Sequence, residues 1–142
     1  AAVVGGEDAA GGSAMIAFKT LRALYDFHAT HPTLKDVVEI MLAGIWPTDR
    51  DLIVTRIAER DANQKTEVHT DGPPHRAIDF RISHVPFQTA QRATDRINEI
   101  FIYDPERPAM QVALLHDAGS GNHLHVQVHA NTSRRPLPME TA

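Results

Sequence analysis

The clearest pattern along the chain is the strict alternation of apolar and polar residues over His123-Leu124-His125-Val126-Gln127-Val128. A two-residue period is that of a half-buried β-strand. Leu124, Val126 and Val128 are therefore expected to face a core, with His123, His125, Gln127 and His129 on the opposite side. Gly119-Ser120-Gly121-Asn122 precedes this strand as a turn, and Met110 to Leu115 precedes the turn as another strand, so the two predict a hairpin. Alternation recurs over Arg76 to Ile82, where Ile78, Phe80 and Ile82 point inward and Ala77, Asp79 and Arg81 outward. Leu52 to Ile57 is rich in β-branched residues and predicts a further strand.

Elsewhere the apolar spacing lengthens to three and four residues, the period of an amphipathic helix. Ala14 to His28, behind a capping Ser13, aligns Met15, Phe18, Leu21, Leu24, Tyr25 and His28. Leu34 to Ile45, capped by Thr33, aligns Val37, Val38, Met41 and Ile45, and Trp46-Pro47 ends it because proline disfavours α geometry in the residue before it. Pro86 to Tyr103 predicts a third helix, with Phe87, Ala90, Ile97, Ile100 and Phe101 as its stripe. The expected fold is α+β: a small antiparallel sheet of about four strands, with helices packed on one face and the other face carrying the chemistry. Residues 1–13 are Ala/Gly-rich and read as a flexible segment, 14–131 as a single domain, and 132–142, with Pro136 and Pro138, as a tail.

Composition narrows the function classes. The 142 residues include no cysteine, which excludes disulfides, thiolate zinc sites and cysteine nucleophiles. A net charge of −4 with no basic patch argues against nucleic acid as a partner. No apolar run approaches the ~20 residues that span a bilayer. The start of the chain has neither the basic nor the apolar region of a secretory leader. Localisation stays open, and synthesis in the cytoplasm with action at the cell wall is compatible with these features. Of the nine histidines, all but His28 and His31 lie from His69 onward.

That clustering gives the alternating strands a chemical reading. Each has one apolar face and one face with metal-ligand side chains. As sheet neighbours they would bring Asp79 beside His123 and His125. His69 ends a stretch leading toward the Asp79 strand and can fold back beside it. Two imidazoles and a carboxylate, with water in the fourth position, are a catalytic zinc arrangement. Imidazoles favour zinc over magnesium or calcium, which take oxygen shells.

His69…Gly72…Ala77-Ile78-Asp79 followed by His123-x-His125 resembles the zinc peptidases that include D-Ala-D-Ala carboxypeptidases, murein endopeptidases and phage endolysins. The metal-binding domain of hedgehog proteins is similar in plan. Members carry a motif SxHxxGxAxD and a terminal HxH or ExxH, and the likeness covers Leu52 to His129. By position, the resemblance implies His69, Asp79 and His125 as zinc ligands and His123 as the group that moves the proton. Arg56 or Arg60 would be the arginine that meets an oxyanion or a substrate carboxylate, with Arg76 the local alternative and Gln127 a substrate-side neighbour. His69 and Asp79 are ten positions apart, about three more than in the motif, which implies an insertion near Pro73-Pro74. Glu67 stands where the motif has Ser, and His75, four residues before Asp79, is the alternative ligand to His69. The implied activity is zinc-dependent cleavage of amide bonds in peptidoglycan peptides or another small peptide, of the D-Ala-D-Ala carboxypeptidase or murein endopeptidase type. A non-catalytic zinc-binding module that recognises a peptide or cell-wall fragment is the alternative. A cupin-like metal enzyme also carries HxH, but it needs a nearby downstream glutamate and many strands; Glu140 is too distant and the helices oppose it.

Overall fold

The computed structural model describes residues 2–4, 15–58, 73–117 and 122–136. Its main sheet has six strands: β1 (Ala2–Val4), β2 (Ile16–Phe18), β3 (Leu52–Arg56), β4 (Ala77–Arg81), β6 (Ala113–Asp117) and β7 (Asn122–Gln127). They lie in the order β1-β2-β3-β4-β7-β6. A separate pair joins β5 (Phe101–Ile102) to β8 (Ser133–Arg134). The helices are α1 (Leu21–His28), α2 (Pro32–Ile40), continued by a π-helical turn at Met41–Ile45, and α3 (Phe87–Ile100).

Alternation sorts the sheet into two chemically different faces. Phe18, Val54, Phe80, Leu124 and Leu115 fall in one cross-strand row, and Ile78, Val126 and Ala113 in another. These residues join Ala23 of α1, Leu34, Val37 and Val38 of α2, and Ala90, Ala93 and Ile97 of α3 in one core. Each fully buried large apolar side chain contributes roughly 1.5–3 kcal/mol, so this layer supplies most of the stability. Asn98 fastens α3 to the edge of the sheet, its amide nitrogen donating to the Ala113 carbonyl and its oxygen accepting from the Ala113 N–H, both at 2.9 Å. The opposite face carries Ala77, Asp79, His123, His125 and Gln127.

β3 breaks the alternation at the point that matters for this second face. Val54 pairs with Phe80, but Arg56 pairs with Asp79, so two steps on β3 match one on β4. This is a β-bulge, the device that re-aims a side chain within a ladder. Without it, Leu52, Val54 and Arg56 would share the core face. With it, Arg56 turns to the polar face and Ile57 returns fully buried to the core.

The α+β class, the helices on one face and the β6–β7 hairpin agree with the sequence reading. The expected antiparallel sheet of about four strands is corrected: the sheet is mixed, because β2 runs parallel to β3. β2 falls inside the stretch read as helix from Ala14. Ile16, Ala17 and Phe18 gain a strand partner on each side, and that pairing outweighs their helix-compatible spacing. The helix begins instead behind Thr20, whose hydroxyl accepts from the Ala23 N–H at 3.1 Å. Its rotated phase leaves Leu21 and Tyr25 each 75% exposed. Two further short strands lie outside the predicted elements: β1 within the segment read as flexible, and β8 within the tail.

Candidate functional site

Asp79 is the centre of the polar face. It is a register partner of His125 on β7 and of Arg56 on β3, so three adjacent strands deliver three chemically matched side chains to one row. The Arg56 Nε and Nη2 both donate to Asp79 Oδ2, at 3.1 and 2.8 Å. The other carboxylate oxygen faces the imidazoles: Oδ1 lies 2.9 Å from His125 Nδ1 and 3.5 Å from His123 Nε2. The Asp79 carbonyl accepts from the Thr55 hydroxyl at 3.1 Å, which ties the bulge to the same residue.

Burial makes these contacts consequential. Asp79 is 3% exposed, His123 9%, His125 6% and Gln127 7%. A carboxylate at that depth is stable only when paired and hydrogen-bonded, and the guanidinium supplies the countercharge. Arg56 is itself nearly buried, and its Nη1 has no hydrogen-bond partner among the described residues. His125 Nε2 lies 3.0 Å from Gln127 Oε1, and the Gln127 amide nitrogen donates to the Gln111 carbonyl at 3.0 Å. The network therefore runs from β3 through β4 and β7 to the residue that leads into β6.

Ligand atoms around tetrahedral zinc, at about 2.0–2.1 Å from the metal, stand about 3.3 Å apart. Asp79 Oδ1 and His125 Nδ1, at 2.9 Å, stand closer than that, at hydrogen-bond distance. Among the described residues, no group of three or more His, Cys, Asp or Glu side chains is arranged to hold a metal ion. The third ligand expected from the sequence, His69, lies outside the described residues, as do Arg60 and Glu67.

The remaining candidates sit apart from this cluster. His75 bridges backbone to backbone with the α1–α2 junction: its N–H donates to the Ala29 carbonyl at 2.9 Å and its carbonyl accepts from the His31 N–H at 2.7 Å. Among the described residues, it makes no hydrogen bond or ion pair with Asp79, His123 or His125. Arg76 directs Nη1 toward the Val128 carbonyl at 3.4 Å, beside the end of β7. Gln127, expected to meet substrate, is instead buried against His125 and Gln111. Arg56, expected to meet an oxyanion or substrate carboxylate, has its charge committed to Asp79. Sequence reasoning missed Gln111, because it acts through its main-chain carbonyl, and Thr55, whose role depends on the bulge. No helix among the described residues is long and apolar enough to cross a membrane. Comparison of the chain with protein-family models, with curated proteins and with solved structures found no match.

Proposed function

We propose that this chain is a zinc-dependent hydrolase of amide bonds, with His69, Asp79 and His125 as ligands and peptidoglycan-type peptides as the substrate class. One observation carries the reading: Asp79 Oδ1 faces two imidazole nitrogens at 2.9 and 3.5 Å, while Arg56 holds the other oxygen from behind. The choice of wall peptides rests on the motif resemblance. When bound, zinc supplies an acidified water and a polarised carbonyl, the chemistry that amide hydrolysis requires. The side chains do the rest. Arg56 orients the Asp79 carboxylate so that one oxygen is presented outward. His123 moves a proton at Nε2 between the attacking water and the leaving amine, a role suited to imidazole near neutral pH. The low exposure of the cluster keeps bulk water away and strengthens each of these interactions.

The second reading, a zinc module without turnover, draws on the commitment of Arg56 to Asp79, which leaves that guanidinium's charge already neutralised. Elemental analysis of zinc-reconstituted protein beside His125→Ala and Asp79→Ala tests the metal site. About one zinc per chain is expected in the wild type and strong loss in both variants; a metal-free wild type would refute the proposal. Peptide release from purified cell wall, abolished by a chelator, is the expected mark of the enzyme. Zinc retention without release would favour the binding module.

A further inference from the structure

We infer that the hollow between the end of α3, β5 and the β5–β6 connection is a binding site for a small organic carboxylate with an apolar, ring-containing body. The hollow measures about 370 Å³ and is walled by Phe101, Ile102, Tyr103, Pro105, Pro108 and Met110. That volume lies within the range of small-molecule pockets, roughly 300–1,000 Å³. It is more than twice the ~150 Å³ that houses a benzene ring, so it suits a body of about two fused rings. Among the described residues that line it, Arg135 is the one cation and none is acidic. Asn98 also lines the hollow, but its side-chain amide is spent on Ala113.

Arg135 is held in place by its main chain and only partly committed by its side chain. Its backbone N–H donates to the Ile100 carbonyl at 2.7 Å, and its Nε to the Asn98 carbonyl at 3.3 Å. Both acceptors belong to the last turn of α3, where carbonyls lack partners within the helix. Closing that helix end occupies Nε and leaves the two Nη atoms with four N–H donors. Among the described residues, no aspartate or glutamate pairs with Arg135. Arg107, on the same corner, does have such a partner, Asp104 at 3.0 Å. A carboxylate matches the free Nη fork with two parallel hydrogen bonds. Two neighbouring guanidiniums lie over wall aromatics, Arg134 over Phe101 at 5.9 Å and Arg107 over Tyr103 at 5.6 Å. Their charge adds to that of Arg135 and favours an anion over a neutral ligand. The site does not rest on the zinc reading above.

The probe is naphthaleneacetate, two fused rings bearing a carboxylate. It is compared with naphthaleneacetamide, its neutral amide, and with acetate, which lacks the rings. Each is titrated into the full chain and followed by 1H–15N correlation, for the wild type, Arg135→Gln and Arg134→Gln. Far-UV circular dichroism confirms that each variant is folded. The wild type is expected to bind naphthaleneacetate saturably, with shifts centred on Phe101, Ile102, Tyr103 and Gln111. The amide and acetate are each expected to bind about 10-fold or more less tightly. Arg135→Gln is expected to lose the preference for acid over amide, and Arg134→Gln to keep it. The comparison of acid with amide in the wild type decides the matter even where Arg135→Gln does not fold. No saturable binding of naphthaleneacetate, shifts that map elsewhere, or equal affinity for acid and amide overturns the inference. So does a preference that survives in Arg135→Gln or is lost equally in Arg134→Gln.

Discussion

At the scale of single residues, Asp79 does three things at once: Oδ2 accepts twice from Arg56, Oδ1 faces His123 and His125, and its carbonyl accepts from Thr55. Removing the carboxylate alone leaves a nearly buried guanidinium without its countercharge. Asp79→Ala is therefore expected to cost about 3–5 kcal/mol, read from urea unfolding. Replacing both partners, as Arg56→Met with Asp79→Leu, is expected to recover most of that loss while leaving no metal binding. A double variant as unstable as Asp79→Ala would show that the cost lies elsewhere than in an unpaired charge. Asp79, His123 and His125 were legible in the sequence because a two-residue period states which side chains share a face. Arg56 was not legible by that route, since unbroken alternation places it with Leu52 and Val54 on the core side. Gln111 was invisible for another reason: its contribution is a carbonyl, which every residue possesses.

At the scale of elements, the bulge in β3 is the feature on which the polar face depends. Deleting Thr55 would remove the extra residue, so that Arg56 follows Val54 directly and simple alternation itself keeps Arg56 opposite Asp79 and Ile57 toward the core. The deletion is therefore expected to preserve cooperative thermal unfolding by circular dichroism, with a loss of about 1 kcal/mol for the hydrogen bond from the Thr55 hydroxyl to the Asp79 carbonyl. Loss of cooperative unfolding would mean that the bulged geometry itself, and not the sorting of faces, is what the sheet requires. The helices show the opposite balance between local and distant effects. α3 and the α2 segment were legible from periodicity through Ala90 and Ile97 and through Val37, Val38 and Met41, which are buried. The ends of the α3 stripe were not, since Phe87 is 57% exposed and Phe101 leaves the helix for β5 instead of continuing it to Tyr103. The first helix was extended too far toward the N-terminus, because Ile16-Ala17-Phe18 fits either period and only the presence of β3 alongside decides between them.

At the scale of the whole molecule, the corner formed by β5 and β8 carries a clearly displaced titration. Asp104 is held below the usual carboxylate range, chiefly by the Glu106 backbone N–H. Burial opposes this, and the side chains of Arg107 and Asn131 add to the lowering. The Glu106 N–H donates to Oδ1 and the Arg107 Nε to Oδ2, each at 3.0 Å. A carboxyl whose folded value is depressed contributes stability above its unfolded value, and that contribution fades as pH falls through the folded value. Asp104→Asn is therefore expected to be less stable than wild type at neutral pH and to converge with it in strong acid. The measurement is urea unfolding across that range, and a difference independent of pH would contradict the assignment. The global architecture was legible as far as α+β with helices on one face. Its mixed topology was not, because strand direction depends on contacts between β2 and β3 rather than on the pattern within either.

The strand order has a consequence for how the protein is made. β7, which carries both histidines, inserts between β4 and β6. His125 and Asp79 meet across a separation of 46 residues. Pairings of such long range are assembled late, because a large loop must close before they yield anything. During synthesis, Asp79 and Arg56 emerge well before their imidazole partners, and the cluster cannot close until Gln127 has left the ribosome. A nascent or truncated chain ending in the α3 region contains Arg56 and Asp79 without His123 and His125. Any chemistry that needs both is therefore withheld until the chain has been delivered past Gln127.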